Sequence, residues 1–427
     1  MRFLYIIAVY LAAPLISLVM LWRGLRDRAY WEHFAERFGF GQRLGEPPIW
    51  IHAVSVGEVQ AAAPLVRALR ERYPAVPIIV TTLTPTGAQR ARALFEDTVA
   101  VRFIPFDLPG AVRRFFARVR PRIAVIFETE LWPNLYHECG RRRVPLVLAS
   151  ARVSPRSASR YDKLGALFRD ALSGATLVAA QADGDAERFR ALGAAAQRVH
   201  VTGNVKFDFD LPPALAERGR RLRQQYAGGR PVWIAGSTHE SEEEIVLDAH
   251  GLVRASFAQA LLILVPRHPP RFTAVAELLR RRNVSFQRRS SSAPDAAPDA
   301  APDAAPEVLL VDTLGELVEF YAAADLAFVG GSLLPIGGHN LLEPAALGLP
   351  ILTGPYNANS ADVARLLIDG GAVRIVHDAA ELAGNVAALL ADPAERMRIG
   401  ATGRQCVRSH RGALQKLLEL IEPLLQG

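Results

Sequence analysis

Cysteine is nearly absent: Cys139 and Cys406 are the only two in 427 residues, far apart and at no metal-ligand spacing. That speaks against a disulfide framework or a zinc site and leaves two reduced thiols in a cytosolic compartment. Lysine is scarce as well, so the formal charge of +7 is carried mainly by arginine. Such a balance suits nucleic acid or anionic lipid, and it suits equally a GC-rich genome that favours arginine. What is present is apolar: 50% of the residues are hydrophobic and 22% charged, which excludes a disordered chain. The length exceeds one comfortable core, so two domains are expected.

Charge is missing altogether from residues 3–22, FLYIIAVYLAAPLISLVMLW. Twenty such residues are long enough to cross a hydrocarbon layer of roughly 30 Å as a helix. Arg2 precedes the run and Arg23, Arg26 and Arg28 follow it, so the positive-inside rule predicts a single-pass anchor over 1–22 with the rest of the chain cytoplasmic. Leu11-Ala12-Ala13 offers small residues for a signal-peptide reading, but the apolar run continues past them. Beyond it, Trp31, Phe34 and Phe38 recur at helical spacing among arginines. An amphipathic helix lying on the membrane or packed on its own domain is expected there.

From residue 48 onward short apolar runs alternate with amphipathic helices, the pattern of parallel sheets covered on both faces. Strands are expected at 49–54, 78–82, 100–104, 123–127, 146–149, 177–180 and near His200. After a Pro-rich, charged passage at 211–230 they resume at 232–235, 261–265, 308–311, 326–329, 351–353 and 372–375. The predicted fold class is therefore α/β, with two Rossmann-like doubly wound domains, 23–210 and 231–427, joined by a linker at 211–230 and facing a central cleft. The repeat PDAAPDAAPDAAP at 294–306 supplies no core and reads as a solvated insertion.

Chemistry is expected in the strand-to-helix loops. Glu58 opens a helix after the first strand, where the dipole would keep it ionised and ready to accept a proton. Glu128 and Glu130 share a face after the fourth strand, to position a hydroxyl, balance cationic charge or simply cap. Lys206 follows a third loop, where an ammonium meets negative charge on a leaving phosphate. Asp208 and Asp210 mimic a metal-binding pair but read as turn formers, and no metal is expected. In the second domain Ser237 and Thr238 are N-cap types, Arg267 between Pro266 and Pro269 suits a bidentate grip on phosphate, and the turn Leu314-Gly315-Glu316 offers backbone to a base edge. Within 328–355, FVGGSLLPIGGHNLLEPAALGLPILTGP, two diglycines allow close approach to a ligand. Asn340 would cap a helix and touch phosphate while Glu343 takes a ribose diol, although a capping box covers the same pair.

Together, HAVSVGE at 52–58, FETELWPN at 127–134, TGNVKFD at 202–208, GSTHE at 236–240, PRHPPR at 266–271, DTLGEL at 312–317 and GGSLLPIGGHNLLEPA at 330–345 resemble the motifs of the Kdo (3-deoxy-D-manno-octulosonic acid) transferases of lipid A biosynthesis. The resemblance covers nearly the whole chain. It implies a GT-B glycosyltransferase that moves Kdo from CMP-Kdo to the 6'-hydroxyl of a lipid A precursor at the bacterial inner membrane. It further implies Glu58 as general base, Glu128 and Lys206 at the transition state, and CMP contacts at Pro266, Arg267, Leu314, Gly315, Glu316, Asn340, Leu341, Leu342 and Glu343. CMP-Kdo, the lipid precursor and membrane lipids are then the partners, with no cofactor and no nucleic acid.

Overall fold

The computed structural model describes residues 1–162, 165–173, 176–291 and 305–426, so the repeat expected to be a solvated insertion lies, up to residue 304, outside the described residues. The chain divides into two compact units, Met1–Phe209 with His410–Gly427, and Asp210–Ser409. This departs from the expected boundaries at two places. The passage 211–230 is no bare linker: it forms a helix, Leu215–Tyr226, whose Arg223 pairs with Asp325 at 3.0 Å inside the second unit. The C-terminal helix Ala413–Gln426 belongs to the first unit, because its apolar stripe of Leu417, Leu418 and Ile421 closes that unit's core.

The first unit holds seven strands, β1 Ile49–His52, β2 Ile78–Thr82, β3 Ala100–Phe103, β4 Ile123–Phe127, β5 Leu146–Ala151, β6 Thr176–Ala180 and β7 Val199–Val201. They pair in parallel in the order β3-β2-β1-β4-β5-β6-β7. Alternation along each strand sends side chains to opposite faces. Ile49 and Ile51 enter the core under the helix Val56–Arg72, whereas Trp50 enters the other, against Phe115 and Phe116 at 4.9 and 5.7 Å. The second unit repeats the plan with β8 Val232–Thr238, β9 Leu261–Pro266, β10 Phe286–Arg288, β11 Val308–Leu310, β12 Leu326–Val329, β13 Ile351–Thr353 and β14 Val373–Ile375, ordered β10-β11-β9-β8-β12-β13-β14. Strand β10 escaped the sequence reading because its three residues, Phe-Gln-Arg, are half-buried at an edge and show no apolar run.

The uncharged run is helical from Arg2 to Arg26. The amphipathic helix expected after it is absent. Two short 3-10 turns, Arg28–Tyr30 and Phe34–Phe38, stand in its place, broken where His33 and Gly39 take left-handed backbone. Phe38 packs edge-on against Phe34 and Phe106, so these aromatics serve their own domain, while Trp31 stays 42% exposed.

The helix Ala413–Gln426 is started by Asp208, whose carboxylate accepts from the amides of Gly412 (2.6 Å) and Leu414 (2.7 Å). The aspartate is thus a cap, in keeping with its reading as a turn former. If the last helix completes the first unit, Leu417→Ala will destabilise that unit by about 2–5 kcal/mol, the range for emptying a buried leucine site. Amide exchange will then show lost protection in β1 to β7 with β8 to β14 unchanged, and loss in the second set instead would refute the assignment.

Candidate active site

Within each unit the strand order reverses once, between β1 and β4 and again between β8 and β12. Connections leave such a point in opposite directions, and the loops at the C-terminal strand ends part to leave a crevice. The chemistry-bearing motifs sit at these two points.

In the first unit, β1 runs out at His52 and Ser55 caps the next helix by accepting from the Glu58 amide. Glu58, in the first turn, folds back so that its carboxylate accepts from Val54 N at 2.8 Å and Ser55 Oγ at 3.3 Å. Burial, aided by the nearby charges of Glu128 and Glu130, pushes its pKa up to about 7, against the lowering by those hydrogen bonds. Where the sequence expects the helix end to keep Glu58 ionised, burial opposes that field and raises the pKa toward neutrality.

Glu128 ends β4 in left-handed backbone, φ 55°, a costly conformation for a side chain of this size. It meets Lys206 Nζ at 2.6 Å, with a quarter or less of either side chain exposed. Lys206 rides on the turn Val205–Phe207 after β7, which is fixed by Val205 N donating to Ser150 Oγ (3.0 Å) and Asn204 Nδ2 donating to Gln181 Oε1 (3.1 Å). Sequence reading expected the two groups separately; the fold makes them one ion pair. Glu130 has a different fate, since its carboxylate accepts from Trp132 Nε1 at 2.5 Å and burial raises its pKa. His52 was quoted only as part of a motif. Its Nδ1 lies 3.0 Å from Thr81 O, burial pushes its pKa down to about 4, and Nε2 meets no hydrogen-bond partner among the described residues.

In the second unit, the loops after β8 and β12 are tied together by Glu242. Its fully buried carboxylate accepts from the amides of Gly331 (2.7 Å), Ser332 (3.0 Å) and Leu333 (3.0 Å). A Cβ on Gly330 would meet that carboxylate at 2.6 Å, so this first diglycine serves internal packing. Ser237 and Thr238 do not cap as expected: both lie within β8, and the helix Glu242–Ser256 begins after Ser241. Three histidines from three motifs collect here, which the sequence analysis missed although their positions flank the quoted residues. His239 and His339 stack with Nε2 atoms 2.8 Å apart, and His268 stands edge-on to His239 at 5.2 Å. Burial lowers the pKa of all three, with His339 pushed down to about 4, and the Arg267 charge adds to the lowering.

Arg267 leaves the buried Pro266 at the end of β9 with its amide on Thr238 O at 2.9 Å. Its side chain is exposed and pairs with no described residue, whereas the nearby Arg271 is taken by Glu240 and Glu243. Glu316 is held by Arg289 at 2.8 Å, leaving Leu314 exposed and Gly315 in left-handed backbone at the tip of the turn. Asn340 Oδ1 accepts from Leu342 N at 3.0 Å in a turn one residue before the N-cap Leu341, so it does not itself cap the helix Leu342–Leu347 as expected. Glu343 has its pKa raised by burial, opposed by a hydrogen bond from Asn340. Because β11, β9, β8 and β12 are parallel neighbours, the turns that carry these residues line one sheet edge.

Two parallel-sheet α/β units have the GT-B fold, and the match of the second to a glycosyl transferase-like family makes the chain a glycosyltransferase. A family described as 3-deoxy-D-manno-octulosonic-acid transferase (kdotransferase) matches residues 32–209, and one described as glycosyl transferase-like matches 313–420. The chain is 41% identical over 429 residues to the 3-deoxy-D-manno-octulosonic acid transferase of Haemophilus influenzae, covering 100% of this chain and 99% of that one. It is 40% identical over 439 residues to the same-named protein of Bordetella pertussis, covering 99% of each. The chain belongs to the Kdo transferase family. Solved structures add the fold alone: Anabaena HepE in complex with UDP (TM-score 0.55, 16% identity, 89% of this chain and 100% of that one) and UDP-GlcNAc 2-epimerase from Neisseria meningitidis (TM-score 0.56, 13%, 88% and 100%).

The raised Glu58 has a stability signature. A carboxyl whose folded pKa lies above its unfolded value, ordinarily 4.5, contributes stability fully below the unfolded pKa and loses it as pH rises through about 7. Glu58→Gln cannot ionise, so its stability relative to wild type should rise between pH 5 and pH 8 in urea unfolding. An unchanged difference would mean that Glu58 titrates normally.

Proposed function

We propose that the protein transfers Kdo from CMP-Kdo to the 6'-hydroxyl of the tetraacylated, bisphosphorylated lipid A precursor, lipid IVA, with inversion at the anomeric carbon. The observation that carries this reading is Glu58, a carboxyl with pKa about 7 beside the Glu128–Lys206 pair at the reversal of the first unit. A general base works best when its pKa matches the working pH. Glu58 takes the proton from the acceptor hydroxyl as its oxygen bonds to the anomeric carbon and the bond from that carbon to the CMP phosphate breaks. Attack from the face opposite the leaving group inverts the centre. Lys206, oriented by Glu128, counters negative charge that grows in the transition state.

The second unit holds the CMP half. Arg267, free of any described carboxylate, takes the phosphate. Asn340 and Glu343 bind phosphate and ribose, the backbone at Leu314, Gly315 and Glu316 reads the base, and Pro266, Leu341 and Leu342 frame them. This reading needs neither metal nor cofactor, since fixed cations and amides meet the leaving phosphate monoester. The relatives named Kdo transferase support the sugar, and the motif resemblance supports the donor and acceptor. The lipid acceptor and the basic, apolar N-terminal segment support a place on the cytoplasmic side of the bacterial inner membrane.

Mass spectrometry of the lipid after incubation with CMP-Kdo and lipid IVA tests donor, acceptor and product together, and counts the units added. The expected product is the acceptor heavier by whole Kdo residues; an unmodified acceptor would sink the reading. Glu58→Ala should lower kcat by about 100-fold or more, and Lys206→Ala by a similar factor, with circular dichroism unchanged. In the wild type kcat should climb with pH through about 7, and this limb should vanish in Glu58→Gln. Transfer by Glu58→Ala equal to wild type would remove Glu58 from the chemistry.

A further inference from the structure

The apolar helix Arg2–Arg26 touches the first unit along one face, and Gly24 is its one buried residue. Its half-buried or buried positions include Tyr5, Val9, Ala13, Ser17, Met20 and Gly24, a spacing of three and four that marks one helix face. Val9, Ala13 and Met20 pack on Phe38, Phe106, Leu108 and Ala111 of the first unit. Both ends are tied. Arg2 Nε donates to Asn134 Oδ1 at 3.3 Å and the Tyr5 hydroxyl to Asp107 Oδ2 at 2.8 Å, while Trp31 Nε1 donates to Leu21 O at 3.0 Å. Asp107 is no surface accident, for its carboxylate also accepts from the amides of Asn134 (3.0 Å) and Leu135 (2.8 Å).

These contacts conflict with a single-pass anchor. In a helix that crosses the bilayer, the first turn stands roughly 30 Å of hydrocarbon away from the side occupied by the folded units. Here that first turn is hydrogen-bonded to one of them. The face turned away from the unit carries Phe3 (73% exposed), Leu4 (64%), Leu11 (76%), Leu15 (65%), Leu18 (62%) and Leu25 (71%). At 1.5 Å per residue, 25 residues form a strip of roughly 37 Å. So long and uniformly apolar a strip, with no charge from Phe3 to Trp22, matches acyl chains. Its flank is basic: Arg23 and Arg26 lie in its last turn, and Arg113 is exposed on the neighbouring helix Pro109–Val119. Arginines at this level suit anionic headgroups.

We propose that the helix lies in the plane of one leaflet and does not cross the bilayer, with its inner face on the first unit, its leucine face among acyl chains, and residue 1 on the same side of the membrane as the folded units. The occupant of the exposed face is a lipid surface with anionic headgroups. A helix of this kind holds the enzyme flat against the leaflet, whereas a spanning helix would only tether it.

The test fuses a short protease-sensitive epitope ahead of Met1 in the full-length protein, expressed in a Gram-negative host. Protease is added to intact spheroplasts and to inverted membrane vesicles. Removal of the epitope only in inverted vesicles is expected; removal from intact spheroplasts means that the helix spans and overturns the proposal. A second measurement asks what covers the leucine face. Flotation with vesicles of phosphatidylglycerol and phosphatidylethanolamine should recover the wild type, and the paired substitution Leu11→Asp, Leu15→Asp should lower the bound fraction by roughly tenfold, because both positions face away from the fold. Wild-type protein that fails to float and sediments as a dimer would assign the face to a second copy and refute the lipid assignment.

Discussion

In a parallel sheet all strands end on the same edge, and a single reversal of strand order opens a crevice there. The rest of the architecture depends on that constraint. Neither unit needs a deep pocket to bring remote motifs together. Residues 58, 128 and 206 lie on one edge of the first sheet because β1, β4 and β7 finish there, and Glu128 and Lys206 pair along it at 2.6 Å. The same rule in the second unit brings 239, 268 and 339 together from loops after β8, β9 and β12. The buried Glu242, held by three backbone amides, then fixes two of those loops against each other.

Burial decides how these groups behave. At Glu58 the helix start and two hydrogen bonds favour the anion, while desolvation and two neighbouring carboxyls favour the acid. The second set wins, which turns an ordinary capping carboxylate into a group that changes state near neutral pH. Lys206 and Glu128 pair at 2.6 Å in a half-buried setting where either charge alone would be costly. Arg267 is the contrasting case. It stands near three histidines, and the carboxylates of Glu240 and Glu243 go to Arg271, leaving an exposed cation with no partner among the described residues.

The sequence spoke most clearly where physics is local. Strands 78–82, 123–127, 326–329 and 351–353 were placed to the residue, since fully buried parallel strands are continuous apolar runs with abrupt ends. The edge strand Phe286–Arg288 lacks such a run and was invisible. The return of helix Ala413–Gln426 to the first unit was not legible, because an amphipathic stripe does not name the core it will cover. The candidate site residues are legible through their position after strands. Their pairing is not, since the link between Glu128 and Lys206 spans 78 positions and exists only through strand order. Glu58 shows the same divide: the helix dipole can be read from neighbours in sequence, whereas its burial and the charges of Glu128 and Glu130 come only with the fold.

The same difference between local and non-local information applies to the first 26 residues. Length and hydropathy recognise a segment that prefers lipid, and they are indifferent to whether it stands across the bilayer or lies along it. What separates the two is a one-sided stripe of small and aromatic residues, which has a meaning only once Phe106, Leu108 and Ala111 are known to face it. A helix surrounded by lipid has no use for a tyrosine hydroxyl aimed at a buried aspartate, whereas a helix that forms part of the unit's surface does. An enzyme that must lift one hydroxyl of an embedded lipid to a base gains from such a surface. On the proposed reading, the same hydrogen bonds that dock the helix would hold that base at a fixed height above the leaflet.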